Sequence, residues 1–239
     1  MIGWRARLGF ILPSINVVLE QETTKILPPG ISGHFARART SDDTYDELIR
    51  MGKEAPKAAE ELADAEVDAI AFTCTAASFL EGPDYNREIE NRIQEITGIP
   101  AITTSSAIVR AQHALGLKKV VLISPYEEWL NERAKVFLEA QGIEVLAMEG
   151  LGVIDVHIAD VHPEEVYKLA RTLLLNNKEA DGIFISCTDL RSAEILDVLE
   201  SDVGKPVLSS NQATIWAMLQ TIGLKVPIEG FGSLLRDYL

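Results

Sequence analysis

An internal duplication is the feature that most limits what this chain of 239 residues can fold into. Each half alternates four short apolar runs with four longer amphipathic runs. Residues 98–105 of the first half match residues 204–211 of the second, and both stretches pass from a Gly-x-Pro turn into a short strand and a helix start. A solenoid would need repeats of about 20 to 50 residues, so the pattern indicates duplication of one α/β unit.

Alternating strands and helices predict parallel sheets with helices on both faces. We therefore predict an α/β fold of two pseudo-symmetric Rossmann-like lobes, each with a parallel four-stranded sheet flanked by helices, with the active site between the lobes. The predicted boundary gives an N-terminal lobe of residues 1–116 and a C-terminal lobe of residues 117–239. The last helix lies outside both repeats, and we expect it to pack across the boundary onto the first lobe.

The predicted elements follow the same order in both halves. The strands are predicted at residues 8–13, 33–39, 67–74, 100–103, 119–124, 144–148, 182–187 and 206–209. The helices are predicted at residues 16–27, 43–63, 83–97, 105–115, 127–141, 163–176, 191–201 and 211–222.

The two cysteines of the chain, Cys74 and Cys187, occupy equivalent places in the two halves. Each ends a buried apolar run and precedes a threonine, which predicts a thiol at the carboxyl end of a parallel strand. Ligands bind at that edge of open α/β sheets, so the two thiols are expected to face one pocket. A helix start beside a thiol lowers its pKa, and each cysteine is a candidate nucleophile, acid or base. Two inert buried cysteines are the alternative.

Other polar residues follow the predicted strands. Ser14 and Asn16 come after the first strand, where Asn16 could cap the next helix or bind a ligand. Tyr126 is its counterpart in the second half, and its hydroxyl could donate to a substrate oxygen or simply pack at a helix start. Thr75, Ala76 and Thr188 follow the cysteines, where hydroxyl and backbone N–H groups favour a carboxylate or an enediolate.

Composition excludes several classes of partner. A formal net charge of -14 leaves no basic surface for nucleic acid and repels anionic membranes. The opening residues lack a signal-peptide apolar stretch, and no run reaches the about 20 apolar residues that span a bilayer. We expect a cytoplasmic protein with free thiols.

Metals and nucleotide cofactors are not expected. The four histidines show no metal-binding spacing. No Gly-x-Gly-x-x-Gly motif follows a strand, and no Gly-Lys-Ser/Thr loop is present to hold phosphates. The apolar helix face of Ile108, Ala111 and Leu115 could close a homo-oligomer, predicted as a dimer or tetramer, or pack internally.

Taken together, these motifs resemble the aspartate/glutamate racemase superfamily. The branch most similar to this chain contains maleate cis-trans isomerases, arylmalonate decarboxylases and ectoine-utilisation proteins. The resemblance covers nearly the whole chain. Its motifs are Pro13-Ser14-Ile15-Asn16, Phe72-Thr73-Cys74-Thr75, Ser124-Pro125-Tyr126, Ile185-Ser186-Cys187-Thr188, Ser209-Ser210-Asn211-Gln212-Ala213 and Gly230-Phe231-Gly232.

The resemblance implies cofactor-free chemistry on a small carboxylate or dicarboxylate. In the isomerases the residue matching Cys74 adds as a thiolate to a double bond, and the residue matching Cys187 transfers a proton from the opposite side. Asn16 and Tyr126 match residues that hold substrate carboxylates. The decarboxylases have glycine at the position of Cys74, so Cys74 argues against decarboxylation.

Two departures bear on the substrate. Val156 aligns with a carboxylate-binding asparagine of the isomerases, and Val17 and Val18 replace hydroxyl residues. A bulkier or monoanionic substrate is therefore an alternative to maleate. We predict a maleate isomerase-like enzyme. The alternatives are an amino-acid racemase that acts on aspartate, glutamate or a derivative, an arylmalonate-type decarboxylase, and a carboxylate-binding protein without turnover.

Overall fold

The computed structural model describes residues 2–153 and 155–239, with only the backbone for Asp155. This part of the chain forms eight strands and ten α-helices, and each strand is followed by one or two of the helices. The strands are β1 (Ala6–Pro13), β2 (Ile31–Ala38), β3 (Ala69–Phe72), β4 (Ala101–Thr103), β5 (Lys119–Ser124), β6 (Glu144–Gly150), β7 (Gly182–Ile185) and β8 (Val207–Ser209). The helices are α1 (Leu19–Ile26), α2 (Tyr45–Ala63), α3 (Thr75–Phe79), α4 (Pro83–Thr97), α5 (Thr104–Ala114), α6 (Glu128–Ala140), α7 (Pro163–Asn176), α8 (Leu196–Val203), α9 (Ser210–Thr221) and α10 (Ser233–Asp237).

The strands form two parallel sheets with the same internal order. The first runs β2-β1-β3-β4 and the second β6-β5-β7-β8. The register is equivalent as well, because Ile11 pairs with Phe72 in one sheet and Ile123 pairs with Ile185 in the other. Strands β3 and β7 are buried along their whole length, as expected for central strands covered on both faces. The predicted fold class is confirmed.

Helix sequences explain how the sheets are covered. In α2 the buried residues Leu48, Met51, Ala55, Ala59 and Leu62 recur every three or four positions, so one stripe of the helix faces the first sheet. The repeat also fixes where helices end. Gly98 after α4 and Gly204 after α8 have φ angles of 71° and 65°, in the left-handed region that favours glycine. Each turn then feeds the next strand at the sheet edge.

Helices α5 and α9 join the two halves. They pack against each other, and both contain fully buried small residues: Ala107 and Ala111 in α5, and Ala213 and Ala217 in α9. The Thr104 and Thr214 hydroxyls are 3.0 Å apart across this contact. One hydrophobic core runs from β1 to α10 and includes residues of both sheets. The face of α5 that suggested an oligomer contact is thus buried inside the chain.

Several element boundaries differ from the prediction. Helix α1 begins at Leu19 rather than at residue 16, because Asn16 lies in the preceding turn and accepts hydrogen bonds from the helix-start amides. Helix α8 begins at Leu196 rather than at residue 191. The Ser192 and Ala193 N–H groups donate to Glu22 instead, and Ala193–Ile195 form a short 3-10 helix. The short helix α3 was not predicted, whereas α10 is the predicted last helix outside both repeats.

The lobe boundary near residues 116 and 117 stays a prediction. It falls in the turn between α5 and β5. The tail lies on α8 and α9 of the second half, where the Ser233 N–H donates to Glu200 Oε2 over 2.7 Å and Trp216 Nε1 donates to the Tyr238 carbonyl over 3.0 Å. None of the helices in the described residues is long and apolar enough to cross a membrane.

Candidate active site

Each cysteine lies just past the carboxyl end of a central strand. Cys74 follows β3 and is the residue that caps α3, where its Sγ accepts a hydrogen bond from the Ala77 N–H at 3.4 Å. Cys187 follows β7, and its Sγ accepts from the Asp189 N–H at 3.4 Å. Neither cysteine is in a disulfide. The repeat therefore places two free thiols at equivalent sheet edges.

Cys187 has an unusual backbone conformation. Its φ angle is 96°, in a region where residues with a Cβ are strained by about 1–3 kcal/mol. The surrounding structure holds this conformation, because the Cys187 N–H donates to the Ser210 hydroxyl over 3.1 Å while its sulfur accepts from Asp189. The strained turn fixes the direction of the thiol.

Both cysteines line one cavity of about 360 Å³, a volume that includes its open mouth. The predicted residues Asn16, Thr75, Ala76, Tyr126 and Thr188 line it too. Their roles stay predictions. The other lining residues come from strand ends and loops of both halves: Pro13, Ile15, Asp43, Ile158 and Asp189.

Ser14 is the one predicted binding residue that the structure does not place among the described lining residues. Its hydroxyl donates to the Thr40 carbonyl over 3.0 Å and accepts from the Thr40 N–H over 3.0 Å. This pair of hydrogen bonds ties the end of β1 to the loop after β2. Ser14 therefore supports the turn that presents Asn16, and its side chain turns away from the cavity.

The Asn16 carboxamide is held from both sides. Its Oδ1 accepts from the Val18 and Leu19 N–H groups, as in a helix cap, and its Nδ2 donates to Thr188 Oγ1 over 3.1 Å. The Thr188 hydroxyl in turn donates to the Thr73 carbonyl. The sequence left helix capping and ligand binding as alternatives for Asn16. In the structure the same side chain accepts from the helix-start N–H groups and lines the cavity.

Ser210, at the start of α9, connects the two cysteine segments. Its hydroxyl oxygen accepts from the Cys187 N–H and from the Thr75 hydroxyl, at 3.1 and 3.0 Å. The residue lies in a motif that supported the family resemblance, but it was not singled out as a site residue. The signal that could have identified Ser210 as a site residue is a buried serine at the start of a helix.

Two buried carboxylates hold the first half against the loop after Cys187. Asp189 Oδ1 accepts from the Val17 and Val18 N–H groups at 2.8 and 3.1 Å. Glu22 accepts from the Ser192 and Ala193 N–H groups and from Asn211 Nδ2. Burial raises the pKa of Glu22, and burial raises the pKa of Asp189 to about 6. These contacts fix the loop between Cys187 and α8.

The structure corrects one expectation about the thiols. Burial raises the pKa of Cys74 to about 12, and the nearby Asp43 carboxylate adds to the shift. Burial also raises the pKa of Cys187 well above its ordinary value, with Asp189 as the next cause. The helix-start N–H groups act in the predicted direction but are outweighed, because desolvation penalises the thiolate more strongly.

Tyr126 is a buried proton donor. Its hydroxyl lies 3.4 Å from Ser186 Oγ, and its ring meets Phe79 edge to face. Burial is the main cause that raises the pKa of Tyr126, followed by the charge of Cys187. The phenol therefore keeps its proton at neutral pH and can donate to an oxygen in the cavity.

Val156, which departs from the isomerase pattern, is exposed and is not among the described lining residues. It lies in the short 3-10 helix Asp155–Asp160, and Ile158 of the same helix contacts the cavity. This segment thus contributes an apolar side chain to the site. Within residues 2–153 and 155–239, no group of three or more His, Cys, Asp or Glu side chains could hold a metal ion.

Replacing Asp189 tests how the cavity is held together. Asp189→Ala is expected to lower the free energy of unfolding by about 1–3 kcal/mol, because the Val17 and Val18 N–H groups lose their acceptor. Asp189→Asn keeps an acceptor oxygen and is expected to cost less than about 1 kcal/mol. Urea unfolding of both variants measures the difference, and equal losses would contradict this role.

The stability of Asp189→Asn relative to wild type is expected to depend on pH. The pKa of Asp189 is raised to about 6, so the stability linked to its protonation is present at low pH and is lost as pH rises through about 6. The stability of Asp189→Asn relative to wild type should therefore increase as pH rises from about 4 to about 6 and stay constant at higher pH. A pH-independent difference would contradict the raised pKa.

Two duplicated parallel sheets with one thiol at each carboxyl edge define a class of two-cysteine α/β enzymes whose site lies between the halves. The family model for arylmalonate decarboxylase matches residues 8–235. The chain belongs to that family.

Two relatives and one solved structure show what the chain is similar to within the family. A maleate isomerase of Nocardia farcinica is 32% identical, with 97% of this chain and 96% of the relative covered. An arylmalonate decarboxylase of Bordetella bronchiseptica is 25% identical, with 90% of each covered. A crystal structure of a cysteine-to-serine mutant of the Nocardia farcinica maleate cis-trans isomerase, with a covalently bound succinylcysteine intermediate, is 28% identical with a TM-score of 0.92. It covers 97% of this chain and 98% of that one. The predicted resemblance and the prediction of an isomerase-like enzyme are confirmed.

Proposed function

We propose that the chain interconverts the cis and trans forms of a small unsaturated carboxylate, in the manner of a maleate isomerase. The observation that carries this proposal is the pair of free thiols at equivalent sheet edges, lining one cavity with Asn16 and Tyr126. The substrates and the covalent intermediate named for the relatives support it. Cys74 is the nucleophile in this proposal, and Cys187 is the acid and base.

The reaction has four steps with no net change in atoms. The Cys74 thiolate bonds to one alkene carbon, and the π electron pair moves toward the carboxylate to form an enediolate. Cys187 protonates the other carbon, which leaves a single bond about which the adduct rotates. Cys187 then takes back a proton, the double bond reforms in the trans geometry, and the Cys74 thiolate leaves.

Neutral donors stabilise the developing enediolate in this proposal. Asn16 Nδ2 and the Tyr126 hydroxyl face the cavity with the Thr75 and Thr188 segments. The backbone N–H groups that follow each cysteine lie at the same edge. Removal of one such donor typically raises the activation barrier by about 3 kcal/mol. Thr188 accepts one amide hydrogen of Asn16 and so holds the carboxamide in place, which leaves the other hydrogen for the enediolate with little reorganisation.

The rate is expected to rise with pH. Since the pKa of Cys74 is raised to about 12, the reactive thiolate is the minor form near neutrality. The kcat/KM should increase about tenfold per pH unit between about pH 6.5 and about pH 8.5. A pH profile of initial rates measures this slope. A plateau across that range would mean that the thiolate is already formed in the free enzyme.

Proton NMR in deuterium oxide tests the proposal. The substrates are maleate, its monoamide, aspartate, glutamate and an arylmalonate, each incubated with wild type and with Cys74→Ala. Conversion of a cis alkene to its trans form by wild type alone supports the proposal. Exchange of the α-hydrogen of an amino acid would indicate a racemase. Loss of carbon dioxide from the arylmalonate would indicate a decarboxylase. Either result without isomerisation contradicts the proposal.

Assembly and location stay predictions. We keep a homo-oligomer as the expected state, although the α5 face that suggested it packs against α9 within the chain. Exposed apolar side chains elsewhere, such as Val136 on α6, are available for a contact between copies. Light scattering coupled to gel filtration measures the state. Free thiols and an acidic surface favour the cytoplasm.

A further inference from the structure

The charges around the cavity are all negative. Its charged lining residues, within the described parts of the chain, are Asp43 and Asp189, and none of the others is Lys, Arg or His. Asp189 is held by the N–H groups of Val17 and Val18. The Arg37 guanidinium lies close by, but it donates to the Ser14 and Asn16 carbonyls and to Glu20, and it is not a lining residue. A substrate anion is therefore received by neutral donors alone.

Asp43 lies at the mouth of this cavity. Together with Tyr126 it also lines the outer groove formed by Asp42, Thr44, Glu127, Trp129, Leu130 and Val153. Its carboxylate contributes to the raised pKa values of both Cys74 and Cys187, so its charge acts on the reacting end of the site. Asp43 also has contacts of its own within the protein. A ligand in the cavity meets this carboxylate as well as the thiols.

The two ends of the cavity differ in what they accept. Asp189 lies at the Asn16 end, but the Val17 and Val18 N–H groups and the charge of Arg37 offset its negative charge. Asn16 offers the amide hydrogen that is not donated to Thr188, and the start of α3 offers backbone N–H groups, which suit one carboxylate. The mouth offers the Asp43 carboxylate and the apolar Ile158. A second carboxylate there would face a like charge in a partly desolvated site, whereas an N–H donor would be attracted.

We propose that Asp43 makes the enzyme selective for monoanionic cis-alkene acids whose second end is a neutral hydrogen-bond donor, of which a carboxamide is the simplest. This inference rests on the proposed function above. The carboxamide N–H groups donate to the Asp43 carboxylate, while the acid end takes the neutral donors near Asn16. The monoamide of maleate has this chemistry, and maleate itself does not.

The chemistry balances with such a substrate. The Cys74 sulfur bonds to the carbon next to the carboxamide, and the π pair moves toward the carboxylate held by the neutral donors. Proton transfer from Cys187, rotation and the reverse steps release the trans monoamide and restore both thiols. No atom is gained or lost.

The test compares kcat/KM for maleate and its monoamide in wild type, Asp43→Asn and Asp46→Asn. Asp46→Asn is the matched control, because it removes the same charge three residues away on the exposed first turn of α2. Wild type and the control are expected to prefer the monoamide by about tenfold or more. Asp43→Asn should reduce that preference by about tenfold or more, chiefly through faster turnover of maleate.

The outcomes separate this inference from the proposed function. Equal preference in all three proteins, or a wild-type preference for maleate, would overturn the role of Asp43 and leave the isomerase intact. Absence of turnover with either cis acid would instead count against the proposed function. Asp43→Ser, checked by circular dichroism, replaces the asparagine variant if that variant does not fold; it should show the same loss of preference.

Discussion

Cys74→Ala is expected to lower kcat for cis-trans conversion by at least about ten-thousand-fold. The thiol at the end of β3 is the only nucleophile placed to bond to the alkene in the proposed mechanism, and alanine leaves no group that can form the adduct. Residual binding of the carboxylate by Asn16 should persist, so KM should change far less than kcat. Initial rates over a range of substrate concentrations measure both constants.

A control variant separates the loss of chemistry in Cys74→Ala from a loss of stability. Removing the buried sulfur of Cys74 should cost about 1 kcal/mol of stability. Thr104→Ala removes a buried hydroxyl at the contact of α5 with α9, away from the cavity, and should cost a similar amount. Full activity in Thr104→Ala beside an inactive Cys74→Ala assigns the loss to chemistry. Substantial activity in Cys74→Ala would refute thiol addition.

Cys187→Ser is expected to lose turnover by about a thousand-fold or more and to accumulate substrate bonded to Cys74. Serine has nearly the size of cysteine, and the hydrogen bond from the backbone of residue 187 to Ser210 stays in place. The serine hydroxyl is a much weaker acid than a thiol and stays un-ionised, so the carbon is protonated slowly, by water, and no thiolate is present to remove that proton and release the adduct. Intact-protein mass spectrometry detects the added mass, and peptide mapping locates it.

The double variant Cys74→Ala with Cys187→Ser is the matched control for this trap, and it should gain no mass. An adduct located on any residue other than Cys74 would contradict the assigned roles. Loss of turnover together with α-hydrogen exchange and no adduct would favour the racemase alternative. Unchanged turnover in Cys187→Ser would show that the second thiol transfers no proton.

The duplicated pattern was enough to predict both sheets and both thiol positions. The apolar runs that end at Cys74 and Cys187 must be central strands, and parallel strands bring their carboxyl ends to one edge. Such an argument depends only on local sequence and on the repeat. It therefore succeeded for the strands, and Asn16 and Tyr126 line the cavity as well, although their roles stay predictions.

What the sequence could not supply comes from contacts between distant segments. Asp43 and Ile158 reach the cavity from loops, and nothing in their immediate sequence sets the path of those loops. Ser14 follows a strand as Asn16 does, yet the hydroxyl turns to Thr40. The direction of the thiol pKa shifts was wrong because it depends on how deeply the completed fold buries each sulfur.

The shared core also decides how a substrate enters the enzyme. Separating the two halves by a hinge motion would expose the contact between α5 and α9. Each buried methylene group that becomes exposed costs about 0.8 kcal/mol, so substrate entry by hinge opening is costly. The outer groove, which shares Asp43 and Tyr126 with the cavity, offers a path that leaves the core closed. Entry and exit then depend on the loop after β2, and changes in that loop would alter turnover without touching either thiol.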